Sequence, residues 1–367
     1  MKNKLLLVPT TDFAANSFYH TYKYLLRHFD IYFLLEGPNI TKRDYPEFEV
    51  LRLKSFERKE INFVNKVFFP NRLSCEISKL ASSKKWHCVI VSNECGLHQS
   101  IIVKLFKKAN IRVISHQVAS GIVNSNLKNG GKTSFKKLIL NYLYKKNTCR
   151  GYGYYSDEVW LMGKGWSHIT NNKTQKIVPN GYYWDFKNII EKAGKIDHNY
   201  RSKGKINITF FGGPLSEINL MDHVLHTRIL KQIEALNQEL PKEFTLYYKP
   251  HPQEKLYKKV FDLKLIKLCD LSPEDTLLIT DIGISVSSSM SFQTKLLGKL
   301  SLGFWPKGLA ANISDSSKLF FHQTFSQKDH LLSGITNKTY KIENADTDEF
   351  FNTSIDLPKV LKKYLLK

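Results

Sequence analysis

The chain has little cysteine and no long apolar run. Its five cysteines are scattered over 367 residues without a Cys-x-x-Cys pair, which indicates neither a disulfide framework nor a zinc site. The apolar run at residues 5–8 stops at Pro9, so it is too short for the core of a signal peptide or for a membrane-spanning helix. We therefore expect a cytoplasmic protein with reduced thiols.

Acidic residues are also scarce, with 33 Asp and Glu against 55 Lys and Arg and a net charge of +22. Such an excess favours a partner of opposite charge, which could be nucleic acid, an anionic membrane or an acidic substrate. No aromatic and basic recognition motif or helix-turn-helix pattern stands out, so no nucleic acid is expected as a partner. A basic nucleic-acid-binding protein stays open as the alternative from another functional class.

Strand-like apolar runs alternate with helical patterns along the chain, which predicts an α/β fold with parallel sheets covered on both faces. We expect a first Rossmann-like domain over residues 1–184, a polar linker over 185–204 and a second Rossmann-like domain over 205–345. The amphipathic tail at 346–367 is expected to pack back on the first domain. Ligands of such folds bind beyond the carboxyl ends of the strands, here in a cleft between two facing domains.

Two motifs follow strand-like runs in the second half. The run at residues 244–248 leads into Lys249-Pro250-His251-Pro252, and the run at 276–280 leads toward the serine cluster at 285–291. Prolines on both sides hold His251 rigidly, and the serines open a helical pattern whose first N–H groups can receive a phosphate. Gly212 and Gly213, after another strand-like run, allow the backbone to approach the same phosphate closely. The pattern indicates half of a nucleotide-sugar site.

These motifs resemble those of GT-B glycosyltransferases that build bacterial capsule and lipopolysaccharide. The paired His-Pro and Ser-Ser segments are similar to those of sialyltransferases, Kdo transferases and CDP-glycerol phosphotransferases. The resemblance implies two facing Rossmann-like domains and a cytidine nucleotide donor. Gln293 stands where many GT-B enzymes place a ribose-binding Glu. The residues expected to bind the donor are Lys249, His251, Gly212, Gly213, Ser287, Ser288, Ser289, Ser291 and Gln293.

The acceptor hydroxyl needs a base, and three residues after strand-like runs are candidates. His116 needs the smallest shift of its pKa to act as a base near neutral pH. Asp12 and Glu94 are the carboxylate alternatives. The related sialyltransferases carry a carboxylate pair where this chain has His116-Gln117, so the base stays open. No metal or other cofactor is expected, because the Asp346-Thr347-Asp348 triplet is predicted to be a solvated loop.

A basic amphipathic pattern spans residues 134–146, with lysines between and beyond apolar and aromatic positions. It is typical of helices that rest on anionic membranes, and equally of a core-facing helix with a solvated basic side. With the resemblance, it favours an enzyme peripheral to the inner face of the bacterial cytoplasmic membrane, acting on a glycan or lipid-linked glycan. The pair His223 and His226 is expected on a helix surface without a metal role.

The resulting hypothesis is a metal-independent glycosyltransferase that moves a sugar from a nucleotide-activated donor to a bacterial surface glycan. CMP-sialic acid or CMP-Kdo is the favoured type of donor. A CDP-glycerol-type phosphotransferase and a UDP-sugar epimerase remain alternatives on the same fold.

Overall fold

We describe the protein from a computed structural model. The structure describes residues 2–35, 45–57, 63–92, 94, 97–118, 152–194, 200, 204–217, 221–306, 321–340 and 347–366. The basic segment at 134–146 lies outside these residues. The described chain divides into two compact units, the first containing the described residues up to 118, 152–185 and 347–366, and the second containing 186–340.

The first unit is a parallel sheet whose described strands run in the order β3-β2-β1-β4-β5-β6-β7. The strands are β1 Asn3–Val8, β2 Phe29–Leu34, β3 Glu49–Leu51, β4 Trp86–Val91, β5 Arg112–His116, β6 Glu158–Leu161 and β7 Gln175–Ile177. The central strands are buried over most of their length, as in β1, where four consecutive residues from Leu5 to Val8 are fully covered. Helices on both faces explain why these strands read as continuous apolar runs.

The helical segments of the first unit include three that its core depends on. Residues Asp12–Tyr22 follow β1, Phe63–Ser83 precede β4, and Leu97–Lys108 connect β4 to β5. The others are the 3-10 turns Lys23–Leu25 and Lys164–Ile169 and the helices Lys54–Glu57, Gly181–Trp184, Thr347–Phe351 and Leu357–Leu365. The long helix at 63–83 has no counterpart in the sequence prediction, and the helix at 347–351 replaces the solvated loop expected around Asp348.

The second unit repeats the doubly wound arrangement, with the strand order β10-β9-β8-β11-β12-β13. Its strands are β8 Ile206–Phe211, β9 Phe244–Lys249, β10 Lys267–Leu268, β11 Ile282–Ser285, β12 Leu300–Phe304 and β13 Gln323–Phe325. Its helices are Phe186–Ala193, His223–Glu239, Tyr257–Val260, Pro273–Ile279, Ser289–Leu296 and Lys328–Asn337. The helix at 186–193 occupies the first part of the segment predicted as a linker, and it buries Phe186 and Ile190.

One strand prediction is wrong. Residues 276–280 were predicted to be a strand, but they form the end of the helix Pro273–Ile279, and the strand before the serines is Ile282–Ser285. The residues at the start of this helix explain why it forms instead of a strand. Ser272 caps the helix by accepting the Asp275 N–H, and a proline occupies the first turn.

Among the residues described, no helix combines the length and the apolar character needed to cross a bilayer.

The C-terminal helix Leu357–Leu365 contributes to the core of the first unit. Leu357, Leu361 and Leu365 are fully buried in the cluster that contains Ile114 of β5. The helix is also held from the sheet, because Arg112 Nη1 donates a hydrogen bond of 3.1 Å to the Tyr364 carbonyl. The tail is therefore an integral part of this unit.

We predict that Leu361→Ala destabilises the protein by roughly 2–5 kcal/mol, because it removes buried methyl groups and leaves a cavity. The measurement is chemical denaturation of the full chain. Lys362→Ala on the exposed side of the same helix should change the unfolding free energy by less than about 0.5 kcal/mol. Equal effects of the two substitutions would show that the helix is not packed as described.

Candidate functional site

Three neighbouring strands of the second sheet end at the same level. Phe211 at the end of β8 is paired with Lys249 of β9 on one side and with Ser285 of β11 on the other. The strand order reverses between β8 and β11, which is where open α/β sheets bind ligands. Neighbouring strands lie about 4.8 Å apart, so the ends of β9 and β11 are about 10 Å from each other. The segments just beyond them contain Gly212, Gly213, His251, Ser287 and Ser288.

His251 has one occupied and one open ring nitrogen. Its Nδ1 accepts a hydrogen bond of 3.2 Å from the Gln253 N–H, which places the proton of the neutral ring on Nε2. Burial lowers the pKa of His251 below its usual value, although Glu254 and Glu217 act in the opposite direction. No described protein group hydrogen-bonds Nε2. The exposed side chain can thus present a neutral N–H donor to a ligand.

A buried carboxylate holds the His251 turn. Glu254 accepts hydrogen bonds from the Tyr248 hydroxyl through Oε1 and from the His251 N–H through Oε2, the latter at 3.3 Å. Its own N–H donates to the His251 carbonyl at 2.9 Å. His226 Nε2 lies 3.4 Å from Glu254 Oε1. These contacts fix the backbone on both sides of His251 from within the core.

A second carboxylate fixes the segment that follows. Glu217 Oε1 accepts hydrogen bonds of 2.7 and 3.1 Å from the N–H groups of Lys255 and Leu256. Burial raises the pKa of Glu217, but these backbone donors outweigh it and hold the pKa below its usual range. Glu217 follows β8, so it ties the loop after β8 to the loop after β9.

Gly212 is required by packing. A Cβ at this position would lie 2.3 Å from Glu254 Oε2 and 2.6 Å from the Tyr248 hydroxyl, so any side chain would displace the buried network. Gly213 differs, because a Cβ there would meet Leu215 only at 3.5 Å. Of the two predicted glycines, Gly213 therefore has room for a Cβ, and Gly212 supports the His251 turn.

The serine cluster separates into structural and available members. Ser285 Oγ accepts the Ser288 N–H at 3.0 Å and lies 2.7 Å from Ser291 Oγ, and Ser291 is fully buried. Ser288 caps the helix Ser289–Leu296 by accepting the Met290 N–H. The hydroxyls of Ser287 and Ser289 have no hydrogen bond to any described residue. We conclude that the hydroxyls of Ser287 and Ser289 are available to an anion, whereas the N–H groups of Met290 and Ser291 already donate to Ser288.

Two further residues were predicted to bind the sugar donor, namely Lys249, which already makes one hydrogen bond within the protein, and Gln293, which is buried. Lys249 donates its ammonium hydrogen bond to the Leu271 carbonyl. Gln293 lies in the helix Ser289–Leu296 and is only 6% exposed. The Lys249 ammonium keeps two further N–H donors, whereas the Gln293 side chain is buried.

In the first unit, the loops after β1 and β4 are joined at the corresponding reversal of strand order. Thr10 donates its N–H to Ser92 Oγ at 3.0 Å. Thr11 caps the helix Asp12–Tyr22, so Asp12 lies in the first helical turn, where its carboxylate is exposed and favourably placed relative to the helix dipole.

His116, the leading candidate for a base, is enclosed. The ring is fully buried, its Nε2 lies 3.2 Å from the Val178 carbonyl and its Nδ1 lies 2.7 Å from the Tyr22 hydroxyl. A carbonyl can only accept, so the proton is on Nε2 and Nδ1 accepts from Tyr22. Burial lowers the pKa of His116 to about 4. Because both nitrogens are occupied, the ring serves the core, and its assignment as a base is not supported by this geometry.

Glu94 is a buried carboxylate with a near-neutral pKa. Its Oε2 accepts hydrogen bonds from the N–H groups of Tyr155 and Ser156 at 3.1 and 3.0 Å. Burial raises the pKa of Glu94 to about 7, although the backbone donors act to lower it. Among the three candidates for a base, Asp12 is therefore exposed, whereas Glu94 and His116 are buried.

Sequence reasoning missed the residues that hold the His251 turn. His226 was expected on the surface, but it is buried, and its Nδ1 lies 2.8 Å from Ser216 Oγ. The available signal was spacing. Glu217 follows β8 and Glu254 follows the His-Pro motif, so both carboxylates belong to loops at the same sheet edge.

No group of three His, Cys, Asp or Glu side chains is arranged to hold a metal ion in the described part of the chain. Asp348 instead stabilises a turn by accepting hydrogen bonds from the N–H and hydroxyl of Thr353.

No protein-family model matches this sequence, and no curated protein matches it either. Solved structures do match the fold over the whole chain. A UDP-N-acetylglucosamine 2-epimerase from Methanocaldococcus jannaschii, solved with UDP-N-acetylglucosamine and UDP, has a TM-score of 0.61 at 11% identity and covers 100% of both chains. A UDP-N-acetylglucosamine 2-epimerase from Rickettsia bellii has a TM-score of 0.58 at 10% identity, covering 100% of this chain and 96% of its own.

A spinosyn rhamnosyltransferase complexed with thymidine diphosphate is similar as well, with a TM-score of 0.51 at 11% identity and 100% coverage of both chains. These proteins share the GT-B fold. The prediction of an α/β chain of the GT-B type is therefore confirmed.

We predict that Glu94→Gln changes the pH dependence of stability. The raised pKa means that the folded protein binds a proton that the unfolded chain releases, so stability falls as the pH rises from about 4.5 to about 7. The variant should lack this loss, which is at most roughly 3 kcal/mol. Its amide oxygen can still accept the two N–H bonds.

Chemical denaturation at several pH values between 5 and 8 measures this difference. Glu49→Gln, at an exposed carboxylate of β3, is the control and should follow the wild type. Parallel curves for wild type and Glu94→Gln would contradict the buried, raised-pKa carboxylate.

Proposed function

We propose that this chain is an enzyme acting on a nucleotide-activated sugar, and that its second unit binds the phosphate of the nucleotide. The observation that carries the proposal is the register of β9, β8 and β11. Their paired ends bring the His251 turn, Gly213 and the Ser287–Ser289 segment to one stretch of the sheet edge, where the strand order reverses.

The chemistry of these groups suits a phosphate. A sugar leaving a nucleotide transfers negative charge to the phosphate oxygens, and preorganised donors stabilise that charge. His251 offers a neutral Nε2–H, and Ser287 and Ser289 offer hydroxyls beside the N-terminus of the helix Ser289–Leu296, where the helix dipole favours negative charge. Glu254 and Glu217 hold the His251 segment in place before a ligand arrives. We propose that these donors act without a metal ion.

Glycosyl transfer is the first candidate reaction. The His-Pro and Ser-Ser motifs support it, with a CMP-activated sugar as donor and a bacterial surface glycan as acceptor. For this reaction we propose Asp12 as the base that activates the acceptor hydroxyl, because it is the exposed carboxylate among the candidates. Sugar-nucleotide epimerisation is the second candidate, supported by the likeness to two UDP-N-acetylglucosamine 2-epimerases.

We predict that the wild type binds a pyrimidine nucleotide in the presence of EDTA and that His251→Ala weakens this binding about tenfold or more. The loss corresponds to one hydrogen bond to a charged phosphate, on the order of 1.5–3 kcal/mol. Isothermal calorimetry with CMP, CDP, UDP, TDP and GDP measures it. An oligonucleotide serves as the probe for nucleic-acid binding.

His330→Ala is the matched control, because His330 is an exposed histidine on another helix of the same unit. Unchanged nucleotide affinity in a folded His251→Ala protein would overturn the phosphate site. Tight binding of the oligonucleotide without nucleotide binding would favour the nucleic-acid alternative. Binding that needs added magnesium would contradict the metal-independent mechanism.

We predict that the reaction type is visible in the products. A transferase releases free nucleotide only when an acceptor glycan is present, whereas an epimerase converts UDP-N-acetylglucosamine to its epimer without releasing nucleotide. For a transferase, Asp12→Asn should lower kcat at least about a hundredfold while donor affinity stays unchanged, since general-base catalysis contributes about 10²–10⁴. Full activity of Asp12→Asn would remove Asp12 from this role.

A further inference from the structure

The outer edge of the second sheet carries a surface that the nucleotide-sugar function does not use. Leu263, Leu265 and Leu268 are 52%, 44% and 36% exposed, and they lie in one six-residue segment that ends in β10. We call this segment, residues 263–268, the leucine edge. Exposed apolar patches bordered by polar residues can mark interaction sites.

The leucines are exposed because Ile266 is the residue of the segment that packs into the core. Ile266 is buried in the core of the second unit, and the turn before it is held by two side chains of the helix His223–Glu239. Glu234 Oε1 accepts the Asp262 N–H at 2.7 Å, and Asn237 Nδ2 donates to the Leu265 carbonyl at 2.7 Å. The exposure is therefore a property of an anchored turn.

The leucine edge also borders a groove of about 560 Å³. Its walls combine apolar, aromatic and basic side chains, namely Tyr200, Tyr247, Leu263, Lys264, Ile266, Lys267 and Leu268. Such a lining accepts an apolar group whose end carries a negative charge.

Charge is concentrated on the same segment of chain. Between residues 255 and 270 there are five lysines and two aspartates, and all five lysines are exposed. One aspartate, Asp270, accepts a hydrogen bond from the Tyr200 hydroxyl. Within the leucine edge, the exposed leucines thus alternate with two exposed lysines, Lys264 and Lys267.

We propose that the leucine edge binds an anionic lipid bilayer, with the leucines entering the interface and the lysines contacting the headgroups. Apolar insertion and electrostatic attraction together are what interfacial binding requires. A second copy fits less well, since it would bring the same lysines against each other and Lys267 lies on the strand edge, where lysine opposes edge pairing. Nucleic acid would contact the lysines but would leave the leucines exposed.

This proposal goes beyond the proposed function and does not depend on it. The leucine edge belongs to the second unit. It is a different segment from the basic residues 134–146, which are not among the described residues.

Vesicle sedimentation of the full chain tests the proposal, using phosphatidylcholine vesicles with and without phosphatidylserine at low and high salt. One variant changes Leu263, Leu265 and Leu268 to Ser, and another combines Lys264→Glu with Lys267→Glu. Arg228→Glu with Lys231→Glu is the matched charge control on the exposed side of another helix. Val224→Ser is the apolar control, since Val224 is 70% exposed there.

We expect the wild type and both controls to bind the anionic vesicles. Each lysine near an anionic surface contributes about 1 kcal/mol, so loss of two lysines alone weakens binding about thirtyfold, and the double Lys→Glu variant should bind at least that much more weakly. The leucine variant should lose the binding that the wild type retains at high salt, because that part is apolar.

Three outcomes would overturn the proposal. The first is that the wild type does not bind anionic vesicles. The second is that the leucine and lysine variants bind as tightly as their controls. The third is that the wild type is a dimer in solution that the leucine variant dissociates, which would show that a second copy covers this edge. Circular dichroism confirms that each variant is folded.

Discussion

The site depends on one constraint of parallel sheets, which is that polar groups open to a ligand are found beyond the strand ends. Strands covered on both faces are mostly apolar, and polar residues within them, such as Asn207 and Thr209 of β8, are buried and hydrogen-bonded inside the protein. In the second unit, the pairing of Phe211 with Lys249 and Ser285 brings three such ends to one level. Every group in the proposed phosphate site follows from that register.

His116 and His251 both lie at or just beyond the end of a strand, and they show that this position alone does not tell whether a histidine binds a ligand. His116 ends β5 and His251 lies just beyond β9, and both have lowered pKa values because of burial. Tyr22 and Val178 occupy both nitrogens of His116, whereas the Gln253 N–H occupies only Nδ1 of His251. A hydrogen-bond partner at the second nitrogen thus separates a core histidine from a candidate ligand-binding one.

Three glutamates accept hydrogen bonds from backbone N–H groups of loops. Glu217 and Glu254 accept backbone N–H groups around the His251 turn, and Glu94 does the same for the segment before β6. Backbone N–H groups in loops lack the partners that helices and strands provide, and these carboxylates accept their hydrogen bonds instead. Gly212 belongs to the same arrangement, because its missing side chain makes room for Glu254.

The sequence by itself determined the alternation of strands and helices, the α/β class and the candidate phosphate-binding residues after β8, β9 and β11. These features are local, since apolar runs, prolines and serine caps act over a few residues. The sequence-based prediction was wrong at residues 276–280. It gave more weight to their apolar content than to the helix-start residues Ser272 and Pro273.

Only the tertiary structure decided which of the candidate site residues have groups available to a ligand. His116 and Tyr22 are 94 residues apart, and Glu217 and Leu256 are 39 apart, so no local pattern reveals that they meet. The exposure of Leu263, Leu265 and Leu268 likewise depends on Ile266 taking the core position. Burial and hydrogen-bond pairing are properties of the packed chain, and they separate supporting residues from available ones.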